Sequence, residues 1–527
     1  MGTKQFNNYE DLLTFTRASK GHALRPVSYG SELVTNGTYD TDLSGWDDDS
    51  VGTGTATVSS GQVSLNRVDA SNRGGISQSH TLVTGAMYLV SFELVSGVVQ
   101  VKYKGGSGSL SQTFNGENWN QLTTAGVYQT RFVATGTDGD ISLLAINNGV
   151  TAIIDNVSVK EVTFDESDGT LTLFEHPNNI PRVEYDGSGN RLGLLVEESR
   201  ANLVAYSEDF ESSYWTKQSS VDSVEDGNIA GPDGTLSGTK VTTNAVAYVT
   251  RDTGIYSTQN STVTFSAFLK AGSITTVGLH YAQSLGDGLN DNCDFDLSNG
   301  TVSSEGSAST AKIKYVGNGW YRCSNTYTTN GSGTGLGVRF VVQGAGTYYV
   351  YGAQLEEGSF PTSYIKSNSG STTTRSADVA SIPVADFGYN TAVGSVVAEY
   401  NPLNVSEAVN PVFELSSDST DNRLYSLADT IKHWFVRFNA VTTVEIDLGT
   451  PIESQQNKIA GAYKKDDFAA SLNGGAVGTD TAGSMFVGIE DILIGSLYNN
   501  YYLNGHIKSI KYYPRRLTNA QLQEITS

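Results

Sequence analysis

Cysteine, methionine and proline are scarce in this chain: 2, 3 and 10 residues respectively among 527. Two cysteines cannot staple a disulfide scaffold. Cys293 and Cys323 fall in one strand-rich stretch, where they either pair, if their Cα atoms come close, or remain two buried thiols. The six histidines, at 22, 80, 176, 280, 433 and 506, show no metal-ligand spacing and have no nucleophile motif beside them. No apolar run approaches the roughly 20 residues that span a bilayer. The first eleven residues also lack the basic-then-apolar pattern of a secretory signal. The expectation is a protein made in a cytoplasm, with no membrane insertion and with the sequons at Asn36 and Asn156 unused. Charge is scarce as well, at 17% of residues, and it is unbalanced, with 33 Lys and Arg against 55 Asp and Glu. A net charge of −22 excludes nucleic acid and anionic membrane as main partners. It leaves a surface dressed in Ser, Thr, Asn and Gly.

What the chain has in abundance is glycine, at 57 residues, and tyrosine, at 28. Many turns and many short aromatic-rich strands follow, so the expected class is all-β, and the length suits about three or four domains. Residues 32–162 hold strand-like runs bounded by Gly and Asn, opening Leu33-Val-Thr-Asn-Gly-Thr-Tyr-Asp40 with Trp46 and closing Ile153-Ile-Asp-Asn-Val-Ser-Val159. Residues 201–366 repeat this plan. Asn202-Leu-Val-Ala-Tyr-Ser-Glu-Asp-Phe210 with Trp215 parallels the opening, and Tyr348-Tyr-Val-Tyr-Gly-Ala-Gln-Leu-Glu356 parallels the close. Ser298-Asn-Gly300 before Thr301 is a hairpin signal. Residues 367–389 read as a linker with a Ser/Thr/Gly-rich start. Residues 390–527 carry a third strand set and end with Thr518 as the N-cap of a short helix whose Leu522 and Ile525 share a face. The whole is expected to be three tandem β-sandwiches with a short N-terminal docking segment (1–31) and a connector (163–200).

Catalysis finds little support in these residues. The acidic groups Glu197-Glu198, Glu356-Glu357 and Asp47-Asp-Asp49 are candidates for a hydrolase. Neighbours on a strand point to opposite faces, so neither Glu pair converges on one bond, and no enzyme is expected. Lys104-Gly-Gly-Ser-Gly108 lacks the lysine and helix of a phosphate loop and reads as a turn. The acidic stretch at residues 287–296 misses EF-hand spacing. Sugar recognition calls for an aromatic platform beside amides or carboxylates. Trp119, flanked by Asn118 and Asn120 in Asn115-Gly-Glu-Asn-Trp-Asn-Gln121, is the first such cluster, and Tyr498 and Tyr501 in Tyr498-Asn-Asn-Tyr-Tyr502 are the second. A loop tryptophan that simply caps the sandwich is the alternative. Trp46, Trp215, Trp320 and Trp434 read as core.

Several motifs together carry a resemblance. GAQLEEGSFPTSYI at 352–365, Thr374-Arg-Ser-Ala-Asp378, Val316-Gly-Asn-Gly-Trp-Tyr-Arg-Cys323 and Leu195-Val-Glu-Glu-Ser-Arg-Ala-Asn-Leu203 together resemble a recurrent architecture of tailed-bacteriophage virion proteins. That resemblance implies a tail or capsid fibre or decoration protein, located in the virion and homotrimeric if fibre-like. Its expected partners are other virion proteins and host cell-surface glycans. A glycan-active hydrolase with accessory modules and a purely architectural virion protein are the alternatives. In that family Leu12-Leu-Thr-Phe-Thr-Arg-Ala-Ser19 runs within a few tens of residues into a segment like Pro181-Arg-Val-Glu-Tyr-Asp-Gly187. The first sandwich is therefore read as inserted, with Thr14–Ser19 lying near residues 174–200 in space. The sandwich resembles jelly-roll carbohydrate-binding modules, which implies a structural calcium ion at Asp40 and Asp155; a plain Asp–backbone hydrogen bond is the alternative. The third strand set, through Ile459-Ala-Gly-Ala-Tyr-Lys464 and Asp467-Phe-Ala-Ala-Ser-Leu-Asn-Gly474, resembles concanavalin-like, laminin-G-type domains.

Overall fold

A computed structural model of the chain describes residues 13–106, 109–110, 113–114, 117–118, 121–164, 169–256, 260–282, 292–329, 336–367, 370–405, 409–417, 421–429, 433–485 and 487–527. Among them the fold is all-β, with Asn519–Thr526 the one α-helix. Two compact units divide the chain. One is Pro26–Thr170; the other joins Met1–Arg25 to Leu171–Ser527.

The Pro26–Thr170 unit is a sandwich. One sheet is built on Gly126–Val133, Met87–Ser96 and Val150–Thr163, and the other on Gly75–Thr81, Asp138–Ala145 and Val99–Gly105. The period-two pattern of Met87–Ser96 sends Tyr88, Val90, Phe92 and Leu94 inward, each 2% exposed or less, where they meet Val101, Ile141 and Leu143 of the facing sheet.

In the larger unit, the second sandwich pairs a sheet containing Val246–Tyr256, Leu336–Gln343 and Thr276–Ala282 with one containing Gly346–Glu357, Thr262–Ala271 and Trp320–Thr328. Its opening and closing strands reproduce those of the first sandwich bond for bond. Leu33 N donates to Val159 O at 2.9 Å and Leu203 N to Leu355 O at 2.8 Å. Val157 N donates to Gly37 O, and Ala353 N to Ser207 O, each at 2.9 Å. The Trp46 indole donates to Asn36 O at 3.1 Å, and the Trp215 indole to Tyr206 O at 3.0 Å. Asn36 and Tyr206 both sit at φ 53°. Glu32 Oε1 accepts the amides of Val34 and Val159, and Asn202 Oδ1 accepts those of Val204 and Leu355. These backbone demands explain why the two segments look alike in sequence. Each needs a residue that tolerates a left-handed turn, a side-chain acceptor just before it, and an indole donor nine or ten residues later. Cys293 and Cys323 lie on strands of the two opposing sheets, free and buried. Burial pushes the Cys293 thiol up to about 11. Gly300, at φ 67°, makes the expected hairpin turn between Cys293–Asp296 and Thr301–Glu305.

The third sandwich draws strands from well outside residues 390–527. Thr14–Thr16 and Val379–Pro383 extend one seven-stranded sheet, while Val183–Tyr185 and Arg191–Val196 extend the other. Three residues at the N-terminus cannot make a core, so Phe15 is buried in this one among Ala380, Phe413 and Leu503. On the opposite sheet Ala460, Ala462 and Ala469 present a shallow surface. The C-terminal helix lays Leu522 and Ile525 there, started by a Thr518–Gln521 capping box.

Candidate functional site

The motifs that stand out in sequence converge on one buried junction inside the larger unit. Arg17 donates to Asp378 Oδ1 at 3.2 Å and to the carbonyls of Pro177 and Ile180, so the N-terminal segment does lie beside the connector. Arg182 bridges Glu197 Oε2 at 2.9 Å and Asp378 Oδ2 at 2.5 Å, and also reaches Ser363 Oγ. Ser363 donates both its amide and its hydroxyl to Glu197. Arg375 holds the carbonyl of Glu198 at 2.7 Å. The side chains of Arg17, Arg182, Glu197, Arg375 and Asp378 are all 1% exposed or less. Burial opposes the charge on Glu197, but Arg375 and Arg182 with the Ser363 bonds outweigh it and hold the carboxyl well below the usual range. Burial and the like charge of Arg182 lower Arg17 to about 10. Three guanidiniums and two carboxylates closed to solvent make a structural clasp.

The acidic pairs separate as alternation requires. Glu197 enters the clasp while Glu198 turns to Arg200; Glu356 is buried and accepts Thr362 N and Gln354 Nε2, while Glu357 is exposed. Asp47, Asp48 and Asp49 are all exposed.

Beside the clasp lies a cleft of about 660 Å³, walled by the connector, the second sandwich and the third. Glu184 accepts from His506 Nε2 at 2.6 Å inside it. Burial opposes the Glu184 charge, but Lys314 and His506 hold the carboxyl down to about 2.

Tyr498 and Tyr501 come together on the third sandwich, ring centroids 6.4 Å apart and edge to face at 65°, with Tyr501 43% exposed. Tyr498 and Asn499, both at φ 54°, turn the chain so that the Tyr498 ring covers Arg423, whose guanidinium carbon lies 3.7 Å from the ring centroid. Arg423 is fixed from below by Glu414 at 3.4 Å and flanked by Tyr425, which stacks on Phe435 at 4.7 Å. Glu414 also accepts the Tyr498 amide at 2.9 Å. Burial pushes the Glu414 carboxyl up to about 7, with Arg423 opposing. Glu414 and Arg423 escape sequence reading because each is the one charged residue of a short, mostly apolar strand, 75 to 84 residues from Tyr498.

Trp119 and Asn120 lie outside the described residues, as does the Asn118 side chain. Trp46, Trp215, Trp320 and Trp434 are buried in the cores. Asp40 is exposed, and Asp155 Oδ1 accepts its neighbour Asn156's amide at 2.7 Å. No group of three or more His, Cys, Asp or Glu residues suited to a metal ion occurs among the described residues.

Neither a family of known sequences nor a curated protein matches this chain. Among solved structures, domain 4 of AbnA, a GH43 extracellular arabinanase from Geobacillus stearothermophilus, is similar at 11% identity over 32% of this chain and 82% of that one, with a TM-score of 0.24. The CBM22-1–CBM22-2 tandem of Paenibacillus barcinonensis Xyn10C is similar at 11% over 63% and 99%, with a TM-score of 0.20. Trypanosoma rangeli sialidase in complex with 2,3-difluorosialic acid is similar at 11% over 96% and 93%, with a TM-score of 0.23. Scores this low say nothing of function.

Proposed function

We propose that this chain is a non-catalytic structural protein of a phage virion, of the fibre or decoration kind, that meets host-surface carbohydrate through the Tyr498–Tyr501 patch. The observation behind the sugar-binding part is the half-exposed Tyr501 ring set against a Tyr498 that Arg423 and Glu414 hold in place. A pyranose offers an apolar face and a hydroxyl rim, and a fixed aromatic beside guanidinium and amide groups answers both. The virion part rests on the motif resemblance and on the clasp. The charged residues of those motifs are consumed in holding modules together, as an assembly protein requires. Binding to an array of bacterial surface glycans, lost in Tyr501→Ala with the fold intact, tests the patch; an array bound equally by both proteins refutes it. Immunogold labelling of phage particles tests location.

One observation bears on the hydrolase alternative. A carboxyl held near pH 7, as Glu414 is, suits a general acid. Its side chain is fully enclosed and already bonded to Arg423 and Tyr498, so under the present reading it positions the patch. Bacterial surface polysaccharides incubated with the protein then release no oligosaccharide above background. Release that disappears on changing one carboxylate would establish the enzyme.

A further inference from the structure

The cleft beside the clasp has a composition that the structural role does not explain. Its volume of about 660 Å³ falls within the range of small-molecule sites. Its walls are apolar where Leu24, Leu173, Phe268, Val316 and Leu403 meet. It reaches solvent past Lys312, Lys314 and Val302, all of which are exposed. The charges on its walls are largely matched in place. Lys312 pairs with Glu453 at 2.5 Å, Glu184 with His506 at 2.6 Å, and Glu197 with Arg182 at 2.9 Å. Carboxylates (Glu184, Asp186, Glu197, Glu453) and cations (Lys312, Lys314, Arg322) line the cleft together, so a ligand with a strong charge of either sign meets like charge there.

Three of the lining residues carry buried polar atoms with no hydrogen-bond partner among the described residues: Arg322 Nε, Asn401 Oδ1 and His506 Nδ1. Arg322 makes one side-chain bond, to Ser266 Oγ at 3.2 Å, and lies over the Phe268 ring. Arg322 Nε is an unmet donor, Asn401 Oδ1 is an unmet acceptor, and His506 Nδ1 is an acceptor in the tautomer whose Nε2 donates to Glu184; each costs free energy until something bonds it. A group that is donor and acceptor at once meets both kinds, and a hydroxyl is such a group.

We propose that this cleft binds a short neutral oligosaccharide, its ring faces against the apolar wall and its hydroxyls on Arg322, Asn401 and the Glu184–His506 pair. The site is separate from the Tyr498–Tyr501 patch, so either reading can fail without the other.

The test is saturation-transfer NMR on the full chain carrying Tyr501→Ala, which removes the patch. The probes are cellotetraose, maltotetraose, xylotetraose and mannotetraose, with oligogalacturonate of the same length as the charged counterpart. At least one neutral probe is expected to receive saturation. Its affinity is expected to fall about tenfold in Asn401→Leu and again in Arg322→Met, two near-isosteric changes that leave the pairs above intact. The proposal is overturned if none of the four receives saturation, if transfer is undiminished in both folded variants, or if the oligogalacturonate binds as tightly as the best neutral probe.

Discussion

Arg17 and Asp378 stand 361 residues apart in the chain, yet they pair at 3.2 Å with both side chains fully enclosed. Asp378 serves Arg17 and Arg182 together, and it also accepts the Glu197 amide at 3.0 Å. Replacing Asp378 with alanine therefore leaves Arg17 without its carboxylate and Arg182 with Glu197 alone, both out of water. Loss of one partner from a buried ion pair costs on the order of 3–5 kcal/mol, and that loss is expected in urea unfolding of Asp378→Ala. Adding Arg17→Met should recover part of it, since an unpaired charge is worse than none. A loss under about 1 kcal/mol, the range of exposed pairs, would mean that the clasp does not hold the unit together.

Acid should open the same unit. Burial disfavours the charge on Glu175 and Glu184, but neighbouring cations outweigh it and hold both at about 2; Glu197 is also lowered, by Arg375 and Arg182 against its own burial. The folded state then binds fewer protons than the unfolded chain, whose carboxyls titrate near 4.3. This stability is complete above about pH 5 and is lost as pH falls from there toward 2. Urea midpoints measured from pH 7 down to pH 3 should drop steeply, and Glu197→Gln should flatten the lower part of that curve. A wild-type midpoint constant down to pH 3 would contradict the argument.

The two related sandwiches were legible in sequence because their likeness is made of backbone requirements: a left-handed residue at 36 and 206, an acceptor at 32 and 202, an indole at 46 and 215. Gly300 and Thr518 were legible for the same local reason. Tyr498 and Tyr501 could be picked out because they sit in one short turn. What escaped was long-range. Phe15 is buried in the core of the third sandwich, and Arg191–Val196 pairs with Gly505–Tyr513, over separations that leave no periodicity to read. Glu414 and Arg423 become parts of the patch only when their strands meet the 498–502 turn. The motif residues Arg17, Arg182, Glu197, Arg375 and Asp378 were visible as strings, but their mutual bonding was not.

The Pro26–Thr170 unit has its own core, in which Val63, Phe92, Ile141 and Ile154 have no solvent exposure. Expressed alone, it should melt cooperatively. The rest of the chain, with Arg25 joined to Leu171 through a short glycine linker, should stay soluble. Aggregation of that remainder would show that the unit is not autonomous.

Calcium is tested on the isolated unit. With Asp155 bonded to Asn156 and Asp40 exposed, the expected result is a melting temperature that chelator does not move. An ion bound only by the folded state would stabilise it by roughly 3 kcal/mol at a hundredfold excess over its dissociation constant. A fall of that size on chelation, abolished in Asp155→Ala, would place calcium there after all.

Glu414 should respond to pH in the opposite sense to the clasp. Burial raises its carboxyl to about 7 against the partial opposition of Arg423, so the folded state binds a proton that the unfolded chain has already released. Its contribution is therefore fully present below about pH 4.5 and is lost as pH rises through 7, a decline on the order of 3 kcal/mol. Histidines lowered by burial, such as His433, add a slope of the other sign in part of this window. The informative quantity is therefore the difference between wild type and Glu414→Gln, which is close in size, does not titrate, and keeps one acceptor oxygen for the two donors Arg423 and Tyr498. That difference should shift in favour of the variant between pH 5 and pH 8. Affinity at the Tyr498–Tyr501 patch should follow the same curve in the wild type alone, because Glu414 anchors both Arg423 and the Tyr498 amide. Parallel curves for the two proteins would show that Glu414 does not titrate in this range.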